Sequence, residues 1–517
     1  MDLQTLQLQW VRSLLGIILH PWLFFLLLFF PLFFIFKFSR VSAKKTNLPP
    51  SPPKLPFLGN FHQLGSLPHH SFRSFSEKYG PLMLFQLGHV PTLVVSSSEI
   101  AKEVTATQDV VFANRPFLPL FKEIYFGGTD LAFSPFGDYW KQMRKICVHD
   151  LLSLTRVQSY KYIREEVVSI MLKKIFCACE EGTTINITDL LLAVSNNLIC
   201  RVTLGRNFQG GENEKNNKLW RLTREVSALF GEFSVKDFFP LLGWMDTLNG
   251  FNGRLKRISK EMGVFLDQVV EDHLTKTSDS SLDTQKDFVD LLLRAQKDPT
   301  LSIPLTRADI KAIIVDMIVG GTDTTASTME WAMAELVRNP NVMEKAQKEV
   351  RTAVGKKSKV AEDDISQLDY LNFIVKETLR LHPAAPLLVP RESSKATYIK
   401  GYYIPPKTRV FINAWAIQRD PKQWDDPEKF IPERFINSPV DFQGQHFQFL
   451  PFGAGRRGCP GMPFAVASFK FVLANLLYWF DWKLPGNAKV EEMDMVEANG
   501  TALYKKTPID LLPKSYF

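Results

Sequence analysis

Cysteine is scarce: five in 517 residues, an odd number with no framework of spacings, which excludes a disulfide scaffold and suggests a reducing compartment. Cys177 and Cys179 read as structural thiols. No compact run of Lys and Arg occurs. The surplus of 62 basic over 54 acidic residues, a net +8, therefore points to an anionic membrane surface or an acidic protein partner, not to nucleic acid. Internal repeats and long low-complexity tracts are also missing, and strand signals are few. What remains, 45% hydrophobic and 22% charged, is the composition of an ordinary folded chain with material for a large core.

From Leu14 to Phe36 charge is absent altogether. As a helix this run would extend about 35 Å, enough to cross a bilayer. A signal peptide is the other reading, since Val41–Ala43 faintly resembles a cleavage site, but the apolar run is too long for an h-region. Residues 1–45 are read as a membrane anchor with a basic flank. Lys37, Arg40, Lys44 and Lys45 follow the run while only Asp2 and Arg12 precede it, which places the body on the cytosolic side. The sequons Asn186–Thr188 and Asn499–Thr501 then lie on the wrong side for glycosylation. Residues 46–60 carry Pro49, Pro50, Pro52 and Pro53 and read as a stiff hinge. Residues 61–517 form one body.

Within that body Leu82–Leu87 and Thr92–Val95, separated by Gly88–Pro91, predict a hairpin. Short strand-like pieces return at Thr397–Tyr403, at Arg409–Ile412 and in the C-terminal tail. Apolar residues three and four apart predict helices over Tyr162–Ala178, Leu255–Leu274, Asp309–Gly321, Met329–Asn339 and Met343–Val354. The expected fold is mainly α with a small β portion.

Phe449–Gly461, FLPFGAGRRGCPG, holds the decisive ambiguity. Gly453, Gly455 and Gly458 spell the dinucleotide fingerprint G-x-G-x-x-G, with Asp481 as a possible ribose acid. Only 56 residues follow Gly461, however, and nothing upstream alternates strand with helix, so the nucleotide fold is set aside. The other reading makes Cys459 a thiolate ligand to iron. Glycines would let backbone N–H groups approach the sulfur, Phe452 would shield it, and Pro460 and Pro463 suit the first turn of a helix. Arg457 could pair with a haem propionate. Taken alone, Cys459 could equally be a core thiol.

Other segments bear on that choice. Gly320 and Gly321 interrupt a strong helical pattern at a cost of about 1 kcal/mol each relative to Ala. Either they mark a kink or close helix packing, or they open a groove where a small ligand reaches the backbone. Asp323 and Thr324 beside them offer an acid and an alcohol for proton delivery. Glu377 and Arg380, three apart, could be a surface ion pair or, with Arg434, a buried charge triad. Trp140 and Arg144, four apart, are suited to hold a second carboxylate.

In this order the motifs resemble a cytochrome P-450 of the plant microsomal type: anchor, proline hinge, W-x-x-x-R, G-G-x-D-T-T, E-x-x-R, P-E-R-F and F-x-x-G-x-R-x-C-x-G. The resemblance covers nearly the whole chain. It implies the cytochrome P-450 fold preceded by one transmembrane helix, haem b with Cys459 as axial ligand, and Trp140, Arg144, Arg391 and Arg457 as propionate contacts. It also implies monooxygenation with O2, NADPH-cytochrome P-450 reductase as electron donor, cytochrome b5 as a second partner, and a single-pass location in the endoplasmic reticulum membrane. Substrate walls come from Pro116–Phe126, the helix at Val319 and Gly320, Ala384–Pro390 and Asn499–Tyr504, each of which could equally be core. The contacts expected there are Phe121, Ile124, Val319, Gly320, Ala385, Leu387, Leu388 and Ala502. Their apolar character suits a lipophilic skeleton, a terpenoid ahead of an alkaloid or a phenolic. An oxygen-independent isomerase or dehydratase is disfavoured by the Asp323–Thr324 pair, and a non-catalytic haem-binding scaffold is the other alternative. Two departures stand out: Gly458 where plant members carry a bulky aliphatic residue, and Ser51 in place of a hinge glycine.

Overall fold

The computed structural model describes residues 25, 28–33, 47–127, 129–206, 214–276, 286–486 and 488–517. Of the expected anchor, Phe25 and residues 28–33 are helical and largely exposed; the rest of the 1–45 segment lies outside the described residues. Among the described residues two helices are long and apolar enough to cross a membrane, Ile187–Leu204 and Met462–Trp479, and both are mostly buried as core of the body.

The elements that build the site are, in chain order, α1 (Pro68–Tyr79), β1 (Leu82–Leu87), β2 (Val90–Val95), α2 (Asp138–Ile146), α3 (Ile187–Leu204) and α4 (Arg307–Arg338). They continue with α5 (Asp369–Leu381), β3 (Arg391–Glu392), β4 (Arg409–Ile412), α6 (Met462–Trp479), β5 (Glu497–Ala498) and β6 (Tyr504–Lys505). The body is mainly helical with small sheets. The stretches Asp309–Gly321 and Met329–Asn339, read separately in the sequence, belong to the one helix α4, whose 32 residues extend about 48 Å. Its start is fixed by a capping box, Thr306 accepting from the Asp309 N–H and Asp309 reaching back to the Thr306 N–H.

The largest sheet runs β1-β2-β4-β3, with β2 and β4 parallel and the other neighbours antiparallel. The hairpin turn is two residues, Gly88 and His89, shorter than the sequence suggested because Val90 pairs with Leu87 and Pro91 with Gln86. Gly88 takes φ +58°, the left-handed conformation such a tight turn demands. The proline segment is fastened to this sheet by the Leu84 N–H, which donates to the Pro50 carbonyl at 2.9 Å, and to the separate strand pair Thr397–Ile399 and Tyr402–Ile404 by the Tyr403 N–H, which donates to the Asn47 carbonyl at 2.7 Å. Asn60 closes the segment on itself through Nδ2 to Pro52 at 3.2 Å.

α5 carries two fully buried charges. Arg380 and Glu377 have no side-chain exposure and meet through two bonds, Nε to Oε2 at 2.7 Å and the second guanidinium arm to Oε1 at 2.9 Å. Arg434 adds Nε to Oε1 at 2.9 Å, and the Ile431 N–H reaches the same oxygen at 2.9 Å. The remaining arginine donors go to carbonyls of Gln418, Asp425, Asp426, Pro427 and Lys429. Gln418 passes the constraint onward, its amide donating to Leu379 and Arg380 while its oxygen accepts from the Leu450 N–H at 2.8 Å. Leu450 opens the cysteine loop. Glu377→Gln leaves two buried guanidinium groups without their shared anion, and the expected loss is about 3–5 kcal/mol. Thermal unfolding of the holoprotein checks it, and a midpoint equal to wild type would remove the triad from this role.

Candidate active site

The cysteine loop is shaped by glycine. Gly453 and Gly455 both have φ +68°, and a Cβ on Gly455 would lie 1.9 Å from the Thr105 carbonyl, so no other residue fits there. Gly458 differs. Its φ of −57° and ψ of 151° are open to any residue, and a Cβ there meets nothing nearer than the Gly455 carbonyl at 3.2 Å. The dihedrals do not require glycine at this position, but a Cβ there would crowd that backbone carbonyl. The Cys459 N–H donates to the Phe452 carbonyl at 2.9 Å, which folds the loop back beneath the sulfur. Burial pushes the Cys459 thiol up, opposed by the N–H of Gly461, the charge of Arg144 and the N–H of Met462 at the start of α6. The side chain is nevertheless open to a cavity of about 320 Å³, so iron can take the place of the proton.

Four arginines line this cavity: Arg115, Arg144, Arg391 and Arg457. Arg457 is clamped by the carbonyls of Ala113 (2.7 Å), Leu131 (3.3 Å) and Ser134 (2.5 Å), and its guanidinium lies 4.2 Å over the Trp140 ring. The Trp140 Nε1–H donates to Leu131 at 3.0 Å. Arg391 pairs with Asp109 at 3.0 Å and donates to the Ala454 carbonyl at 2.7 Å. Arg144 makes no hydrogen bond or ion pair among the described residues. Burial and the charge of Arg391 depress the Arg457 guanidinium to about 9; Arg115 is depressed by burial and by Arg457 and Arg391. Because a guanidinium stays charged in proteins, these depressions register too few anions for the cations present. A dianionic ligand would meet that need.

Opposite Cys459 runs α4. Gly320, Gly321, Thr324, Thr325 and Thr328 reach the cavity. The two glycines do different work: a Cβ on Gly320 would meet nothing within 4 Å, whereas one on Gly321 would lie 2.9 Å from Ile199 of α3. Gly320 keeps open space beside the ligand, and Gly321 lets two helices touch. Thr324 Oγ1 donates to the Gly320 carbonyl at 2.7 Å, leaving its lone pairs toward the cavity. Asp323 is not on that wall. It is buried, faces the Tyr504 hydroxyl and has an Oδ2 without a hydrogen-bond partner. Burial, then the Asp323 charge, raises the Tyr504 phenol above its ordinary range.

Of the residues expected at the substrate wall, Gly320, Ala385 and Leu388 line the cavity; Phe121, Ile124, Val319, Leu387 and Ala502 do not. Phe121 stacks on Phe133 at 3.4 Å and meets Phe230 edge-on, while Ile124, Val319 and Ala502 are buried in core contacts. Leu387 packs beside the Phe72–Phe85 cluster under β1. Two charged wall residues escaped the sequence reading. Arg115 was signalled by an isolated arginine in the apolar stretch from Phe112 to Leu120, and Asp316 by an acid within an apolar helical run. Asp316 accepts from the Leu131 N–H at 2.6 Å, and burial, with the charge of Asp130, raises its carboxyl well above the usual range. A wider surface groove of about 860 Å³ beside His149, Asp150 and Arg156 contains none of the expected site residues.

The donor set fits haem: a thiol at one face of the cavity, unneutralised cations at its edge and a glycine gap at the other face. The cytochrome P450 family profile matches residues 49–511. The chain belongs to the cytochrome P450 family. It is similar to cytochrome P450 71A1 of Persea americana, 54% identical over 89% of this chain and 91% of that one. Phenylacetaldehyde oxime monooxygenase CYP71AN24 of Prunus mume is 46% identical over 99% of this chain and 97% of its own. A solved zebrafish cytochrome P450 with progesterone superposes with a TM-score of 0.76 at 25% identity, over 87% of this chain and 99% of that one. The protein is thus a plant-type P450, a haem-thiolate monooxygenase of specialised metabolism, and membership implies a reductase partner.

In this P450 the two glycines should separate by mutation. Gly320→Ala gains helix propensity, up to about 1 kcal/mol, while its methyl narrows the cavity. Gly321→Ala overpacks Ile199 at about 1–3 kcal/mol. Thermal midpoints of the two holoproteins should move in opposite directions, and equal falls would contradict the distinction.

Proposed function

We propose that this P450 inserts one oxygen atom from O2 into a lipophilic specialised metabolite, a terpenoid skeleton before an alkaloid or phenolic. The observation that carries this reading is the cavity wall. Its α4 side and the facing loops offer Leu131, Ala132, Ile199, Met317, Leu388 and Val389, while its phenylalanines, Phe452, Phe464 and Phe469, belong to the cysteine loop and α6. With haem in place these aliphatic side chains, interrupted by Thr324, Thr325, Thr328 and Asp316, would hold a lipophilic skeleton chiefly by shape.

When bound, haem would supply the chemistry of oxygen activation, with the Cys459 thiolate as its protein ligand. In this reading Cys459 would hold the iron, Trp140, Arg144, Arg391 and Arg457 would hold the propionates with Arg115 beside them, and Phe452 would cover the sulfur. Thr324 Oγ1 presents its lone pairs to the oxygen side of the cavity. Asp323 receives protons behind it at Oδ2, anchored by Tyr504.

We place the anchor in the endoplasmic reticulum membrane as a single pass, with the body on the cytosolic side. There NADPH-cytochrome P-450 reductase, and cytochrome b5 as a second donor, reach its basic surface. An apolar patch supports contact with the bilayer: Leu241 is 85% exposed, Leu248 77% and Trp244 58%, beside Phe57 at 56%. Phe61, in the same N-terminal stretch as Phe57, meets Phe233 and Phe238 edge-on and Phe239 at a tilt, which ties that stretch to the segment leading into Leu241.

The test is turnover by microsomes containing the full chain and reductase, given NADPH and matched panels of terpenoids, alkaloids and phenolics, with products read by mass spectrometry. Oxygenated products confined to the phenolic panel would sink the terpenoid assignment. Thr324→Ala should continue to consume NADPH while product per NADPH falls several-fold and hydrogen peroxide rises, with haem content unchanged. Unaltered coupling would move the proton role to Thr325 or to a substrate hydroxyl.

A further inference from the structure

Far from the haem cavity in sequence, two adjacent histidines at the start of α1 converge on one carboxylate oxygen. His69 Nε2 lies 2.9 Å and His70 Nε2 2.7 Å from Glu497 Oε2. All three donor atoms fall within 4.8 Å of one another. Neighbours on a helix point about 100° apart, so this convergence is not a by-product of helical geometry. The other carboxylate oxygen is held separately: Trp415 Nε1 donates to Glu497 Oε1 at 3.0 Å. The carboxylate is therefore oriented with Oε2 turned to the imidazoles. His69 is buried, its backbone carbonyl fixed by Asn413 Nδ2 at 2.9 Å, while the His70 side chain is 47% exposed and leaves the cluster open to solvent.

We propose that His69, His70 and Glu497 form a binding site for a zinc-type divalent cation. Two imidazole nitrogens and one carboxylate oxygen are the ligand set of zinc sites that keep a fourth position for water, and the open side at His70 admits that water. Such a set does not suit magnesium or calcium, which take oxygen donors. Donors about 2.0–2.2 Å from zinc in tetrahedral array lie about 3.4 Å apart, so the two N···O contacts of 2.9 and 2.7 Å need open by only about half an ångström, and the two imidazole nitrogens, within 4.8 Å of one another, adjust to the same separation. The cation replaces the two Nε2–H···Oε2 hydrogen bonds, and each ring then carries its proton on Nδ1.

Nearby positive charge does not close the site. Arg419 and Arg73 both lie over the Trp415 ring, at 4.0 and 5.3 Å, but their guanidinium groups are bound by Glu428, at 3.1 and 2.5 Å. The other grouping of this kind, His273 with Asp287 and Asp290, has both carboxylates engaged in the cap of the helix Phe288–Gln296. In the first grouping two imidazoles share one carboxylate oxygen, whereas in the second a single imidazole reaches Asp287 Oδ2 at 2.9 Å.

Occupation would reach the substrate chamber through the hairpin. Glu497 begins β5, β5 pairs with β6, and the turn between them is pinned to the haem side of the body at Leu503. The Leu503 carbonyl accepts from Ser327 Oγ at 2.7 Å and Trp331 Nε1 at 2.8 Å on α4, and its N–H donates to Ala384 at 2.8 Å. The next residue, Tyr504, faces Asp323. A cation at Glu497 would tie this hairpin to α1 more tightly than two neutral hydrogen bonds do.

The experiment uses untagged, haem-loaded full-length protein titrated with zinc against a chromophoric zinc indicator, with magnesium in excess. One zinc per chain is expected, magnesium should not compete, and amide exchange across residues 497–505 should slow when zinc is bound. His70→Ala, at an exposed position that leaves the fold intact, should weaken binding by at least about tenfold. Trp415→Phe, which frees the second carboxylate oxygen, should weaken it by about 10–100-fold. His62→Ala is the control and should bind as wild type. X-ray absorption at the zinc edge should show two imidazoles. Absence of stoichiometric binding, or binding that His70→Ala leaves undiminished, would overturn the proposal.

Discussion

Placing several guanidinium groups around one interior cavity is the constraint on which this protein is built. Arg115, Arg391 and Arg457 are buried, Arg144 reaches the same space, and the carboxylate paired directly with this group is Asp109, bound to Arg391. Backbone carbonyls absorb part of the charge, and Trp140 offers its ring face to Arg457. The rest has to come from a ligand carrying negative charge at one edge and accepting a thiolate at its centre. Haem meets both requirements, and the fold can be read as the means of holding its two attachments in register.

Two networks supply that register. The Glu377 triad fixes α5 to the segment through Arg434, and Gln418 extends the attachment to Leu450 and so to the loop that presents Cys459. On the opposite side Gly321 brings α4 against α3, and the side-chain-free Gly320 then determines how near a ligand approaches the α4 backbone. The same helix reads the C-terminal hairpin through Ser327 and Trp331, so chamber shape depends on a strand pair whose outer end is held by His69 and His70. Stability, cofactor retention and access to substrate therefore share elements, and a change in one is felt in the others.

Much of this was legible in the sequence where chemistry is local. Gly453, Gly455 and Cys459 sit within seven residues, and the left-handed glycines needed by that loop are visible as glycines. Glu377, Arg380 and Arg434 were legible as a possible triad because a helix spacing and a short P-E-R-F segment suggested it, although only packing makes it buried. Partners contributed by distant segments were not legible. Tyr504 meets Asp323 and Arg115 meets the cavity through tertiary placement alone. Direction was also hidden: Asp323 and Thr324 are adjacent in sequence, but their side chains leave α4 about 100° apart, so one faces the cavity and the other Tyr504. Phe121 and Ile124 fail to reach the cavity for a related reason. An apolar run is consistent with wall and core alike, and the ring contacts of Phe121 with Phe133 and Phe230, and the burial of Ile124, decide for core.

The central claim is that Cys459 presents its sulfur to haem in the arginine-edged cavity. It is tested most directly by the absorption spectrum of the reduced protein under carbon monoxide, wild type beside Cys459→Ser. The account predicts the strongly red-shifted Soret band of a trans thiolate in the wild type and its disappearance in the variant. A variant that retains both haem and the shifted band would show that another group holds the iron and would contradict the account.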